Sequence, residues 1–330
     1  MPYFIENLTE LNVDEIINIG KNLIVRSATL EEQNKIKSLV SRFGYTPGQE
    51  VFFFRYHETK VIDRLDSGGV KMKSRKPEDF RYFVLDETKS TGKYIQSYAK
   101  AFLLTEKEYF IPFGFHKMTN PLGSTSIKYS FESELSSHSY YYDKNQIDYD
   151  SKTPIDLPKD LTKDDVFQIE KNLQLLDDFD KIKEDFVYIN KSLEDFFKLT
   201  EISNYSSFKI VSYIACFESL LVNNDFDKLK SIRIQLETKL DLLNNQLEKP
   251  IIIADYMKGP DTLTLGKVVG FAYNYRNFIA HGDFVDFEKK LQIFQKVSKN
   301  EILLFLRSVL KKVIIYSLLN PQLISDLKKC

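Results

Sequence analysis

Residues 208–222, FKIVSYIACFESLLV, place apolar side chains at the three- and four-residue spacing of a helix and carry only Lys209 and Glu218 as charged groups. A stretch this apolar is helical and lies inside a bundle. The same texture starts upstream at Asp164. Apolar residues recur at helical spacing through Phe167, Ile169, Leu173, Leu176 and Phe179, then through Phe186, Ile189, Leu193 and Phe197, which makes one long helix or two. Downstream, residues 229–247, 263–281 and 301–319 show the same period. The C-terminal half therefore reads as all-α.

The N-terminal half has a different texture. Thr29 followed by Glu32 matches a capping box and opens a helix over residues 30–43. Residues 51–56, 80–85, 109–115 and 127–131 are short, aromatic or β-branched and bounded by turn residues, and are expected as strands. Residues 94–104 fit either helix or strand, with helix preferred. The segment around Gly68 and Gly69 reads as an exposed loop. After Ser139 the chain turns polar, and Pro154 and Pro158 break regular structure, so a domain boundary is expected near residue 150. The expected class is α+β: an N-terminal mixed, β-containing domain over residues 1–150, followed by an all-α domain over residues 151–330.

Composition sets bounds. The chain has 330 residues, enough for two domains with filled cores. Its 46 basic and 47 acidic residues nearly cancel, so no whole-molecule field announces nucleic acid or membrane as a partner. Beyond residue 200 the balance shifts to 18 basic against 14 acidic residues, a small positive excess compatible with RNA. Two cysteines, Cys216 and Cys330, make neither a disulfide framework nor a cysteine metal site. The first sixteen residues lack a basic leader, and no apolar run is long enough to span a bilayer, so a soluble cytoplasmic protein is expected.

One constellation carries chemistry. Tyr275-Arg276-Asn277-Phe278-Ile279-Ala280-His281-Gly282 closes the fourth helical stretch. Asn277 and His281 are four residues apart and share a helix face, and Arg276 is long enough to curl toward it. Gly282 suits the position just past a helix end, which places His281 on the last turn, where the helix dipole favours positive charge. Metal-independent RNA cleavage uses the substrate's own 2′-hydroxyl as nucleophile. It needs a proton-transfer group and a cationic donor for the phosphate, tasks that suit His281 and Arg276, with Asn277 in support. From spacing alone the favoured reading is the surface of an amphipathic helix with His281 as its cap.

The stretch resembles the signature of the HEPN superfamily, in which Arg, a polar residue and, a few positions on, His end a helix; here it is an R-x4-H motif reading RNFIAH. The preceding helix IVSYIACFESLLV, with Glu218 before Leu220 and Leu221, is similar to the first core helix of the Apea-like HEPN group. The similarity covers residues 165–330, and the N-terminal half carries no specific family motif. The resemblance implies a metal-independent endoribonuclease with Arg276, His281 and Asn277 as its catalytic residues, and no cofactor. It also implies a contact from Glu218 to Arg276, and a homodimer whose two motifs build one composite site. A defence or toxin-like setting follows from it, with an activating ligand or protein at the N-terminal domain. A non-catalytic HEPN module that binds nucleotide or RNA, or simply dimerises, is the alternative.

Other candidates carry less. His57, His116 and His138 have no second ligand at helical or turn spacing, so no zinc site is expected. Asp63, Asp66, Asp286 and Glu288 form no metal or glycosidase arrangement. Residues 51–56 join aromatics with Arg55, a pattern that can stack bases, but core packing is the favoured reading. No Walker A, GxGxxG or GxSxG sequence occurs.

Overall fold

The computed structural model describes residues 2–6, 16–34, 59–64, 70–76, 79–80, 82–87, 97, 100–101, 103–105, 114–117, 128–130, 163–199, 202, 206–223, 231–257, 263–282, 297 and 299–330. The chain divides into two compact units, Met1–Leu173 and Gln174–Cys330, and its architecture is α+β. The polar stretch expected to hold the boundary, residues 140–158, lies outside the described residues.

The first unit holds eight described strands: β1 Pro2–Glu6, β2 Ile17–Ile19, β3 Leu23–Ser27, β4 Thr59–Arg64, β5 Val70–Ser74, β6 Phe83–Glu87, β7 Gly114–Lys117 and β8 Lys128–Ser130. Six form an antiparallel sheet in the order β2-β3-β6-β1-β7-β8, and β4 pairs with β5 in a separate hairpin. The β2–β3 hairpin turns through Gly20, whose φ of 60° suits a residue without a Cβ. The Glu170 carboxylate accepts from the Gly20 amide at 2.9 Å. Val25, Val84 and Tyr82 are buried, as are Val166 and Ile169 on the first long helix. The expected capping box closes reciprocally. The Thr29 amide donates to Glu32 Oε2 at 2.8 Å, and the Glu32 amide donates to Thr29 Oγ1 at 3.3 Å.

Against expectation, the second aromatic stretch forms its strand at 83–87 rather than 80–85, because Phe80 and Tyr82 precede the pairing with β3 and β1. Residues 97, 100, 101 and 103 are helical, in line with the preference for helix there. Strands β1 to β5 were not anticipated; at three to six residues their alternation is too brief to detect. The expected strand at 51–56 and the expected helix beyond residue 34 lie outside the described residues.

The second unit is helical. Helix α1 spans Lys163–Asp180, so its first part belongs to the first unit. It is followed by α2 Val187–Lys198, α3 Ser207–Leu221, α4 Ile232–Gln246, α5 Leu265–Ala280, α6 Lys299–Leu319 and α7 Pro321–Lys329. The long apolar stretch after Asp164 is thus two helices, separated by turns over residues 181–186. Ser206, Ser231 and Thr264 cap α3, α4 and α5 with their hydroxyl oxygens. Helix α7 was not anticipated and starts with Pro321 in its first turn.

Helix α3 packs against α2, α4, α5, α6 and α7. Ile210, Ile214, Phe217, Leu220 and Leu221 on it are fully buried, each stabilising this core by about 1.5–3 kcal/mol. Its C-terminal carbonyls are satisfied by two lysines. Lys239 Nζ on α4 donates to Leu221 O at 2.9 Å, and Lys328 Nζ on α7 donates to Ser219 O. Lys239 also donates to Lys328 O at 3.1 Å, which ties α7 to α4. Burial beside Lys239 lowers the Lys328 ammonium below its ordinary range.

Helices α4 and α5 approach closely because Gly266 and Gly270 present no side chain. A Cβ on Gly266 would fall inside contact distance of the Glu237 backbone, and one on Gly270 would meet the Glu237 carboxylate. Asp241 Oδ1 accepts from the Gly266 amide at 2.7 Å, so α4 also satisfies the start of α5. Gly266→Ala is expected to destabilise the fold by about 1–3 kcal/mol, since backbone must move. Gly270→Ala is expected to cost less, because the Glu237 side chain can swing away. Chemical denaturation of both variants checks the order.

Candidate functional site

The RNFIAH stretch occupies the last turns of α5. His281 is the C-cap residue, and its amide donates to Asn277 O at 3.1 Å. Gly282 follows with φ of 80°, the left-handed conformation that ends a helix and that a glycine adopts without strain. The local backbone thus matches the expectation drawn from Gly282.

Around α5, residues five apart differ by about 140° and residues four apart by about 40°. Arg276 accordingly turns toward Glu218 on α3, whereas Asn277 is half-buried and His281 is exposed. Three of the four predicted side chains meet. Arg276 Nη2 donates to Glu218 Oε2 of α3 at 3.3 Å, and Arg276 Nη1 donates to Asn277 Oδ1 at 3.1 Å. His281 is exposed, and among the described residues no hydrogen bond or ion pair links its ring to the other three.

The ion pair sits at the edge of the core. The Glu218 side chain is 18% exposed and that of Arg276 29%. The contact is single rather than a two-point fork. Glu218 Oε1 and Arg276 Nε are both buried without a hydrogen-bond partner among the described residues. Burial pushes the Glu218 carboxyl above the ordinary glutamate range, while the Arg276 charge pulls it down by less. The guanidinium also lies over the Tyr273 ring, 5.8 Å from its centre. Tyr273 is a contact the sequence reading did not name, although its place one turn before Arg276 and Asn277 could have suggested it.

Chemically, the arrangement offers a held cation. Arginine has five N–H donors, and each Nη here keeps one hydrogen beyond those used by Glu218 and Asn277. Because Asn277 accepts through its oxygen, its amide NH2 stays available as a donor. Cys216, buried on α3, contributes no nucleophile, since burial pushes its thiol up to about 12.

Among the described residues, no group of three or more His, Cys, Asp or Glu side chains is placed to hold a metal ion. No described helix is long and apolar enough to cross a membrane. No family model matches the chain, and neither a curated protein nor a solved structure matches it.

The raised Glu218 carboxyl makes a prediction with a definite sign. The folded chain binds this proton more tightly than the unfolded chain does. The associated stability is therefore complete below the ordinary glutamate value of about 4.3 and is lost as pH rises through the folded value. In Glu218→Gln this loss is absent, so the stability of the variant relative to wild type should rise with pH across that interval. Denaturant titrations at several pH values test it, and parallel pH curves would contradict it.

Proposed function

We propose that the helical unit is a HEPN-type domain and acts as a metal-independent endoribonuclease. The observation that carries this reading is the guanidinium of Arg276, held by Glu218 and Asn277 at the end of α5, with His281 exposed on the same terminal turn. In the proposed reaction, Arg276 and the Asn277 amide bind the scissile phosphate. The RNA 2′-hydroxyl attacks phosphorus, losing its proton to an imidazole, and the 5′-oxygen leaves with a proton returned from an imidazole. The products are a 2′,3′-cyclic phosphate and a 5′-hydroxyl.

His281 lies about 140° around α5 from Arg276, and among the described residues no hydrogen bond joins the two side chains. This favours a homodimer in which the two motifs face each other and share the reaction. RNA is the proposed substrate, and no cofactor is invoked. The β-containing unit is proposed to receive the activating ligand or protein, in a defence or toxin-like role in the cytoplasm. The second reading, a non-catalytic HEPN module that binds RNA or nucleotide, uses the same Arg276 and Asn277 donors without turnover.

The test is incubation of EDTA-treated protein with labelled tRNA and mRNA beside Arg276→Ala and His281→Ala. Cleavage by wild type should fall at least about 100-fold in each variant, the scale of losing a proton-transfer group or an electrostatic donor. RNA that stays intact yet is bound by wild type, and not by Arg276→Ala, would instead establish the binding module.

A further inference from the structure

The single-point contact between Arg276 and Glu218 leaves a mechanical question. A two-point fork fixes the plane of a guanidinium, whereas one N–H to one oxygen leaves it free to rotate about that contact. Asn277 removes part of this freedom through Nη1. The Tyr273 ring, half-buried and 5.8 Å from the guanidinium carbon, lies where it can remove the rest. Tyr273 precedes Arg276 by three residues and Asn277 by four, so it is the neighbour of both on α5.

We infer that Tyr273 is a positioning residue for Arg276: its ring fixes the guanidinium plane so that the unused Nη hydrogens face the exposed side of the helix. The inference rests on the proposed role of Arg276 as the phosphate contact. Arginine loses considerable rotamer freedom when held, and attraction to an aromatic face offsets part of that cost. The attraction comes from the ring and not from the hydroxyl. Phenylalanine should therefore replace Tyr273, whereas an aliphatic side chain of similar bulk should not.

The test uses the full chain with Tyr273→Phe and Tyr273→Leu. It reads the Arg276 side-chain NMR signal, assigned with Arg276→Lys, together with thermal unfolding and cleavage of labelled tRNA. Tyr273→Phe should match wild type in all three. Tyr273→Leu should unfold near the wild-type temperature, shift and sharpen the Arg276 signal as the guanidinium gains motion, and cut cleavage by about three- to tenfold. A Leu variant with wild-type Arg276 signal and wild-type cleavage would overturn the inference, as would a Phe variant as impaired as Leu. If wild type cleaves no RNA while Tyr273→Leu still frees the Arg276 signal, the ribonuclease reading falls and the positioning role stands. Should Tyr273→Leu not fold, Tyr273→Met takes its place with the same outcomes.

Discussion

Burial of α3 is the constraint on which the helical unit depends. Five helices pack against it, so its buried positions along Ser207–Leu221 must be apolar or have their polar atoms satisfied. The exceptions show what the surrounding helices do. At its C-terminal end, the carbonyls of Ser219 and Leu221 receive Lys328 and Lys239. At its edge facing α5, Glu218 places a carboxylate where burial disfavours charge, and Arg276 answers it. The candidate site is thus an outgrowth of core packing, because the arginine is held by a carboxylate from a helix that five others pack against.

The close approach of α4 and α5 plays a complementary part. Gly266 and Gly270 let α4 lie against one face of α5, and Asp241 secures the first turn of that helix. With its start fixed and Gly282 ending it, α5 carries Arg276, Asn277 and His281 at defined angles on its last turns. His281 is nevertheless separated from Arg276 by rotation about the helix.

Much of the helical half could be read in the sequence because its apolar period persists for fifteen residues or more. The stretches at 208–222, 263–281 and 301–319 correspond to α3, α5 and α6 within about two residues at either end. Helix α7, nine residues beginning with a proline, was too short to register. The strands were legible only in part: β8 falls within the expected 127–131, whereas β1 to β5, of three to six residues, alternate too briefly to register. At the site, the hexamer RNFIAH and Glu218 were identified by resemblance. That Asn277 spends its oxygen on Arg276, and that Tyr273 underlies the guanidinium, depends on side-chain directions that spacing does not fix.

Together these features describe a cation held by the fold and a histidine left exposed at the end of the same helix, the two groups that the proposed metal-independent cleavage uses. The chemistry of the cut ends reports on that mechanism directly. Fragments produced by the EDTA-treated protein can be tested for end-labelling by polynucleotide kinase and for ligation at the 3′ end, with and without phosphatase treatment. The account predicts 5′-hydroxyl ends that label without prior phosphatase, and 2′,3′-cyclic phosphates that block ligation until removed. Fragments with 5′-phosphates and free 3′-hydroxyls would mean that water, and not the 2′-hydroxyl, attacks phosphorus, and would contradict it.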